Sequence, residues 1–263
     1  IASGGNYNVV IGEDAAGGLT TADNSIAIGF EALKVHTTGG NNLAIGFKAM
    51  VDTDAGSTSL ASVDNIFIGR FTGGGTWVDS ASSQNIGIGN SVMDAAMDAA
   101  LDNVGIGHSA LTALTTGDYN VAIGTEAAAA LTSGAGNVAI GEGAGVATTA
   151  GTNMVIIGKA AGSGNLTTGA DGAILIGFQS GLALTSGGRN TAISTGLQNT
   201  AVGKNALLDL NTGKENIAVG RNSGENLTTS SGSVFIGWEA GATSVTGNRN
   251  IGIGRFAMGG GAT

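Results

Sequence analysis

Apolar and polar positions recur along this chain in a short pattern, most plainly at Asn120-Val121-Ala122-Ile123-Gly124. Its closing position falls at Gly12, Gly29, Gly46, Gly69, Gly89, Gly107, Gly124, Gly141, Gly158, Gly177, Ser194, Gly203, Gly220, Gly237 and Gly254. Nine of the fourteen spacings are 17 residues; the others are 23, 20, 18, 19 and 9. A unit this short cannot bury an apolar face alone, so successive units must stack as coils. The residue before the closing position is Ile or Val in every copy, and the one two places earlier is aliphatic except at Thr191 and Thr200. Such alternation places both side chains on one face of a strand. The expected fold is an all-β parallel solenoid of 14 or 15 coils.

The middle residue of the motif faces the other way and is apolar or glycine in every copy. A strand apolar on both faces is buried on both faces. The two flanking columns are therefore expected to fill the coil and the middle column to meet another chain, with Phe67, Ile156, Leu175 and Phe235 as its inter-chain packing residues. Asn opens most copies and is expected at a tight corner, since Asn and Gly tolerate left-handed backbone. In the return limb the spacing of Ala110, Leu111 and Leu114 fits one helical turn about as well as a short strand; the strand-like limb is preferred.

Residues 1–263 read as one repeat domain with insertions near 51–64, 71–84 and 90–102 and an irregularity at 189–203. In the last, two motif copies lie nine residues apart, too few to go round a coil. Met93, Met97 and Leu101 recur at helical spacing, which predicts a short surface helix with Asp94, Asp98 and Asp102 as a solvated stripe beside it. Loops on a rigid scaffold are where binding residues collect. Phe71, Trp77 and Asp79 are the receptor-binding candidates, with Trp77 either stacking on a sugar or packing its loop onto the coil. Asp52-x-Asp54-x-Gly56 resembles the start of a calcium loop but lacks the remaining ligands, so no metal site is expected.

Composition narrows the function. The 263 residues include 49 Gly, no Pro and no Cys, with a net charge of −9. Periodic Gly marks corners rather than disorder. Disulfides and thiolate metal sites are excluded, and so few basic residues argue against nucleic acid. No apolar run is long enough to span a membrane. His36 and His108 lie in different coils, and neither a nucleophile elbow nor a zinc motif is present. No enzyme and no cofactor are expected. Neither end carries a polar cap of the kind terminal repeats need, so the chain is expected to be a segment of a longer fibre, with neighbouring segments at both ends.

Asn24-Ser25-Ile26-Ala27-Ile28-Gly29, Asn137–Ala144 and Asn199–Leu207 resemble the head repeats of YadA-like trimeric autotransporter adhesins and similar repeats of phage tail fibres. The resemblance covers nearly the whole chain, although the adhesin repeat is usually shorter. It implies a left-handed β-roll, a parallel homotrimer with two identical chains as partners, and an extracellular role on a virion or a bacterial surface. Attachment to a host surface glycan or protein would follow, in a phage tail fibre by preference or a bacterial adhesin head. Paired Thr such as Thr115-Thr116 raise ice binding, and distant acids brought together by stacking raise a polysaccharide-cleaving tailspike; both are less favoured.

Overall fold

The computed structural model describes residues 5–53, 62–78, 80–166, 170–181, 199–203, 206–210, 213–243 and 247–259. They form about 12 coils of parallel β-solenoid with a repeat of about 17 residues. The chain divides into two compact units, Ile1–Asn137 and Val138–Thr263. The motif copy closing at Ser194 lies outside the described residues, as does most of the irregularity expected at 189–203.

In the first unit the strands are β1 (Val9–Ile11), β2 (Ile26–Ile28), β3 (Leu43–Ile45), β4 (Ile66–Ile68), β5 (Ile86–Ile88), β6 (Val104–Ile106) and β7 (Val121–Ile123). Each pairs in parallel with the next, motif position against motif position. The register survives the longest insertion, because Leu43 still faces Ile66. The second unit holds β8 (Val138–Ile140), β9 (Val155–Ile157) and β10 (Ile174–Ile176), then β11 (Thr200–Val202), β12 (Ile217–Val219), β13 (Val234–Ile236) and β14 (Ile251–Ile253). There β8–β9–β10 and β11–β12–β13–β14 repeat the same parallel pairing.

The structure reverses the expected faces of the strand. The middle column points into the coil of its own chain: Ala27, Ala44, Phe67, Ala122, Ile156, Leu175, Ala218 and Phe235 are all buried. Phe67, Ile156, Leu175 and Phe235 are thus core residues, not inter-chain packing residues. Their bulk is matched by glycines that give way to it. A Cβ on Gly73 would lie 3.0 Å from the Phe67 ring, and one on Gly87 would run into the same ring. Ile156 uses the gap at Gly145, Leu175 that at Gly181, and Phe235 those at Gly241 and Gly252. Ala32, Leu33, Ala110, Leu111, Leu114 and Leu131 close the core from the return limb.

That limb is neither the strand nor the helical turn. Residues two and four places after the corner glycine adopt left-handed backbone, as at Glu31 and Leu33, Lys48 and Met50, or Ser109 and Leu111. The alternation lets the backbone reach both neighbouring coils: Glu31 N donates to Glu13 O at 3.0 Å, and Leu33 N to Ala49 O at 2.9 Å. It also removes the helix expected over 90–102. Ser91, Met93, Ala99 and Asp102 are all left-handed, which a right-handed helix forbids. Met93 and Met97 are instead buried in the coil.

The opening Asn has a different task from the one expected. The left-handed residue at that corner is the one before it, such as Asn41 before Asn42. Asn42, Asn65, Asn85, Asn103, Asn120 and Asn137 are buried. From Asn42 to Asn120 each amide oxygen accepts from the next coil; Asn120 gives Asn103 Oδ1 both its backbone N–H and its Nδ2, each at 3.0 Å. Asn103 Nδ2 also donates to Gly117 O at 2.8 Å and Leu101 O at 3.0 Å. Asn199, Asn216 and Ser233 continue the same pattern in the second unit. Burial of so many amides is tolerable because their donors and acceptors are paired.

The corner glycine is required twice. Gly107 has φ +127°, a conformation open to almost no other residue, and a Cβ there would lie 2.6 Å from the carbonyl of Gly124. Gly107→Ala is expected to cost about 3 kcal/mol or more from backbone strain and collision together. Gly143, with φ +65° and nothing within 4 Å of a Cβ, is the contrast: Gly143→Ala should cost about 1 kcal/mol. Urea unfolding of the two variants measures the difference. Asn103→Ala strips the partner from the Asn120 N–H and from Gly117 O, while Leu101 O keeps the Tyr119 N–H, and the same measurement should show a loss of about 2–3 kcal/mol.

Candidate interaction surface

With the middle column turned inward, the two flanking columns turn outward. Val9, Ile11, Ile88, Ile123, Ile174, Ile176, Val202, Ile217, Ile236, Ile251 and Ile253 are exposed, Ile11 by 59% and Ile253 by 66%. The other Ile and Val residues of these columns are half-buried, shielded by the rungs above and below. Among the described strands only Thr200 brings a polar side chain to this face. An apolar surface that recurs rung after rung is the usual mark of an interaction site.

Aromatic and cationic side chains border the face just past the corner glycines. In the first unit Phe30 stacks on Phe47 at 5.3 Å and 17°, and Phe71 meets Phe47 edge-on at 5.4 Å. The Arg70 guanidinium lies 4.6 Å from the Phe71 ring. Beside them Lys34 bridges Asp14 and Glu31, and Lys48 also reaches Glu31. The hydrogen bond from Lys34, then that from Lys48, holds the Glu31 carboxyl below its ordinary range. In the second unit Trp238 has the Arg255 guanidinium at 4.3 Å and that of Arg221 at 5.8 Å, and Phe256 lies 5.5 Å away. In the same unit Lys214, Glu215, Ser231, Gly232, Asn248 and Arg249 line a groove of about 340 Å³.

The receptor-binding candidates part company. Phe71 is half-buried beside Arg70 and Phe47. Trp77 is completely buried, edge-on to Phe67 at 5.9 Å. It anchors the insertion to the core and offers no face to a ligand. Its Nε1 is one of three buried polar side-chain atoms without a hydrogen-bond partner among the described residues, with Thr148 Oγ1 and Ser180 Oγ. Asp79 lies outside the described residues, as does Asp54. Asp52 accepts a 2.7 Å hydrogen bond from Thr76, so it ties the two insertions together. Among the described residues no cluster of three or more His, Cys, Asp or Glu could hold a metal, and no helix is long and apolar enough to cross a membrane.

His36 occupies the leucine position of its coil and is buried. Its Nε2 lies 2.7 Å from Gly39 O and 3.1 Å from Asn42 Nδ2, and its Nδ1 lies 3.0 Å from Thr53 Oγ1. Among the described Thr pairs, Thr115 Oγ1 donates to Thr132 O and Thr148 is buried, while Thr116, Ser133 and Thr149 are exposed. The expected acidic stripe is not uniformly solvated. Asp98 accepts from Ser80 N at 3.0 Å, and Asp94, half-buried, accepts from Gly74 N. Sequence reasoning missed the outward Ile and Val columns and the Trp238 cluster; the signal for the latter was the recurrence of Arg221, Trp238 and Arg255 just after corner glycines.

No protein-family model matches the chain, and no curated protein matches it.

Burial pushes the Asp94 carboxyl above its ordinary range despite the Gly74 hydrogen bond. A raised carboxyl in the folded state is at ease below the unfolded pKa and costs stability as pH rises through its folded value. Asp94→Asn keeps an acceptor for Gly74 and removes the charge. At pH 7 it should raise Tm by about 1–2 °C, the shift being small because solvent screens a half-exposed group. The gain should vanish below pH 4, roughly the ordinary carboxylate range, in thermal melts across that interval.

Proposed function

We propose that this chain is a segment of an adhesive fibre working outside the cell, in which three copies lie parallel and pack their outward Ile and Val columns together. The observation that carries the reading is the exposure of those columns: two adjacent lines of β-branched side chains with almost no polar residue among them. Burying them against identical columns removes a large apolar surface from water and needs no new side chain, since parallel copies bring like rung against like rung. The repeat's resemblance to trimeric adhesin heads and phage tail fibres supports three copies over two and a left-handed coil. The longer, insertion-rich repeat favours the phage fibre; a bacterial adhesin head is the alternative, and would use the same face. The reading gives the chain no catalytic step and no cofactor.

Light scattering on the intact chain tests the assembly. The expected mass is three times the 25.4 kDa of one chain. Ile88, Ile106 and Ile123 lie outward on neighbouring rungs, and changing all three to Thr should yield a monomer with an unaltered far-ultraviolet spectrum. A wild-type protein that stays a stable 25.4 kDa species at micromolar concentration would overturn the proposal.

A further inference from the structure

We infer that Arg221, Trp238, Arg255 and Phe256 form a binding site for the carboxylate of an acidic saccharide. The adhesive reading above supplies the setting, and the inference names the class of receptor. The four residues stand on three successive rungs whose spacing the backbone fixes. Gly237 N donates to Val219 O and Gly254 N to Ile236 O, each at 2.7 Å, while Glu239 N reaches Arg221 O and Phe256 N reaches Trp238 O, each at 2.9 Å. Two rungs put the backbones of Arg221 and Arg255 about 10 Å apart along the coil axis. Arg221 and Arg255 lie against Trp238, and Arg255 lies against Phe256 at 4.6 Å as well. Neither arginine has a carboxylate within salt-bridge distance among the described residues. The rings hold the cations in place while their N–H groups lack an anionic partner.

Charge is distributed accordingly. Residues 1–137 hold 13 of the 19 acidic side chains and three of the ten basic ones; residues 138–263 hold the other six and seven. In this acidic chain an anion is therefore drawn to the second unit. Guanidinium matches a carboxylate with two parallel hydrogen bonds. Trp238 and Phe256 remain 40% and 38% exposed, so their rims offer apolar contact to the carbon-bound hydrogens of a sugar beside the charged pair. A flat, rigid column with charges at regular intervals suits a polymer that carries acids at regular intervals.

Fluorescence tests the site directly, because the chain has two tryptophans and Trp77 is sealed in the core. Titration of the intact chain with oligogalacturonate should quench Trp238 saturably, with affinity in the millimolar range or tighter, and added NaCl should weaken it. Arg221→Gln or Arg255→Gln should each raise Kd about tenfold, and the double variant should abolish quenching at unchanged mass and circular dichroism. Neutral maltooligosaccharide should not bind. Equal binding of the neutral sugar, unchanged affinity in both variants or no saturation by the acid sugar would overturn the inference. Tighter binding of polyglutamate would also overturn it, by making the site one for acidic protein. The mass measurement separates the two proposals: a monomer that binds oligogalacturonate keeps the site and loses the trimer, and a trimer that does not bind does the reverse.

Discussion

Successive coils approach so closely at the corner glycines that the carbonyl of the next coil occupies the space in which the one before it would carry a Cβ. That contact sets the rise of the coil and everything stacked upon it. It keeps the parallel strands in register through insertions of different length. It brings the asparagine amides within hydrogen-bonding distance of one another, and it aligns the first residues beyond each corner into columns on the surface. A backbone this tightly wound also needs left-handed residues on its return limb, and it places Glu, Lys, Ser and Met there as well as Gly. Each such residue costs about 1 kcal/mol. The coil-to-coil hydrogen bonds of the limb offset that cost by leaving few backbone groups without partners.

Two polar and apolar systems divide the work inside. The asparagine ladder satisfies buried amides in a direction parallel to the axis, so each coil depends on the next for its own polar groups. The apolar core lies beside it, and the middle column of the strands brings Ala or Gly to it in most coils. Large residues enter that column where glycine makes room, as Phe67 does against Gly73 and Gly87 and Phe235 against Gly241. The outer face is built from what remains: Ile and Val, stiff at χ1 and suited to a sheet, held at fixed intervals and half in water.

The period, the strands and their parallel stacking were legible in the sequence, because β-branched pairs closing on glycine at fixed spacing admit little else. Which face turned inward was not legible. Alternation decides orientation only when one face is polar, and here Val, Ile, Ala and Gly occupy both. Phe67 and Phe235 looked like contacts for another chain because their glycine partners lie in other motif positions and other coils, a complementarity that shows only when the coils are closed. Residues 90–102 misled for a related reason: Met93 and Met97 recur at helical spacing, yet the backbone at Met93 is left-handed to keep the coil's path. Trp77 carried the two alternatives from the start, and burial decides for the core. The Trp238 cluster was visible only as three scattered residues until stacking brought them onto neighbouring rungs.

The pairing of large middle-column residues with nearby glycines bears on how a repetitive chain finds its own alignment. Regular coils such as those around Ala122 and Ala139 present nearly interchangeable rungs, so a partly folded chain that stacks one rung out of place would lose little there. Phe67 has its gaps at Gly73 and Gly87, and Phe235 has its gaps at Gly241 and Gly252; a slipped stack would drive each ring into a methyl group or leave a hole. These irregular coils thus serve as landmarks against slippage, and the monotonous stretches between them are where whole coils can be gained or lost over evolutionary time without disturbing the rest.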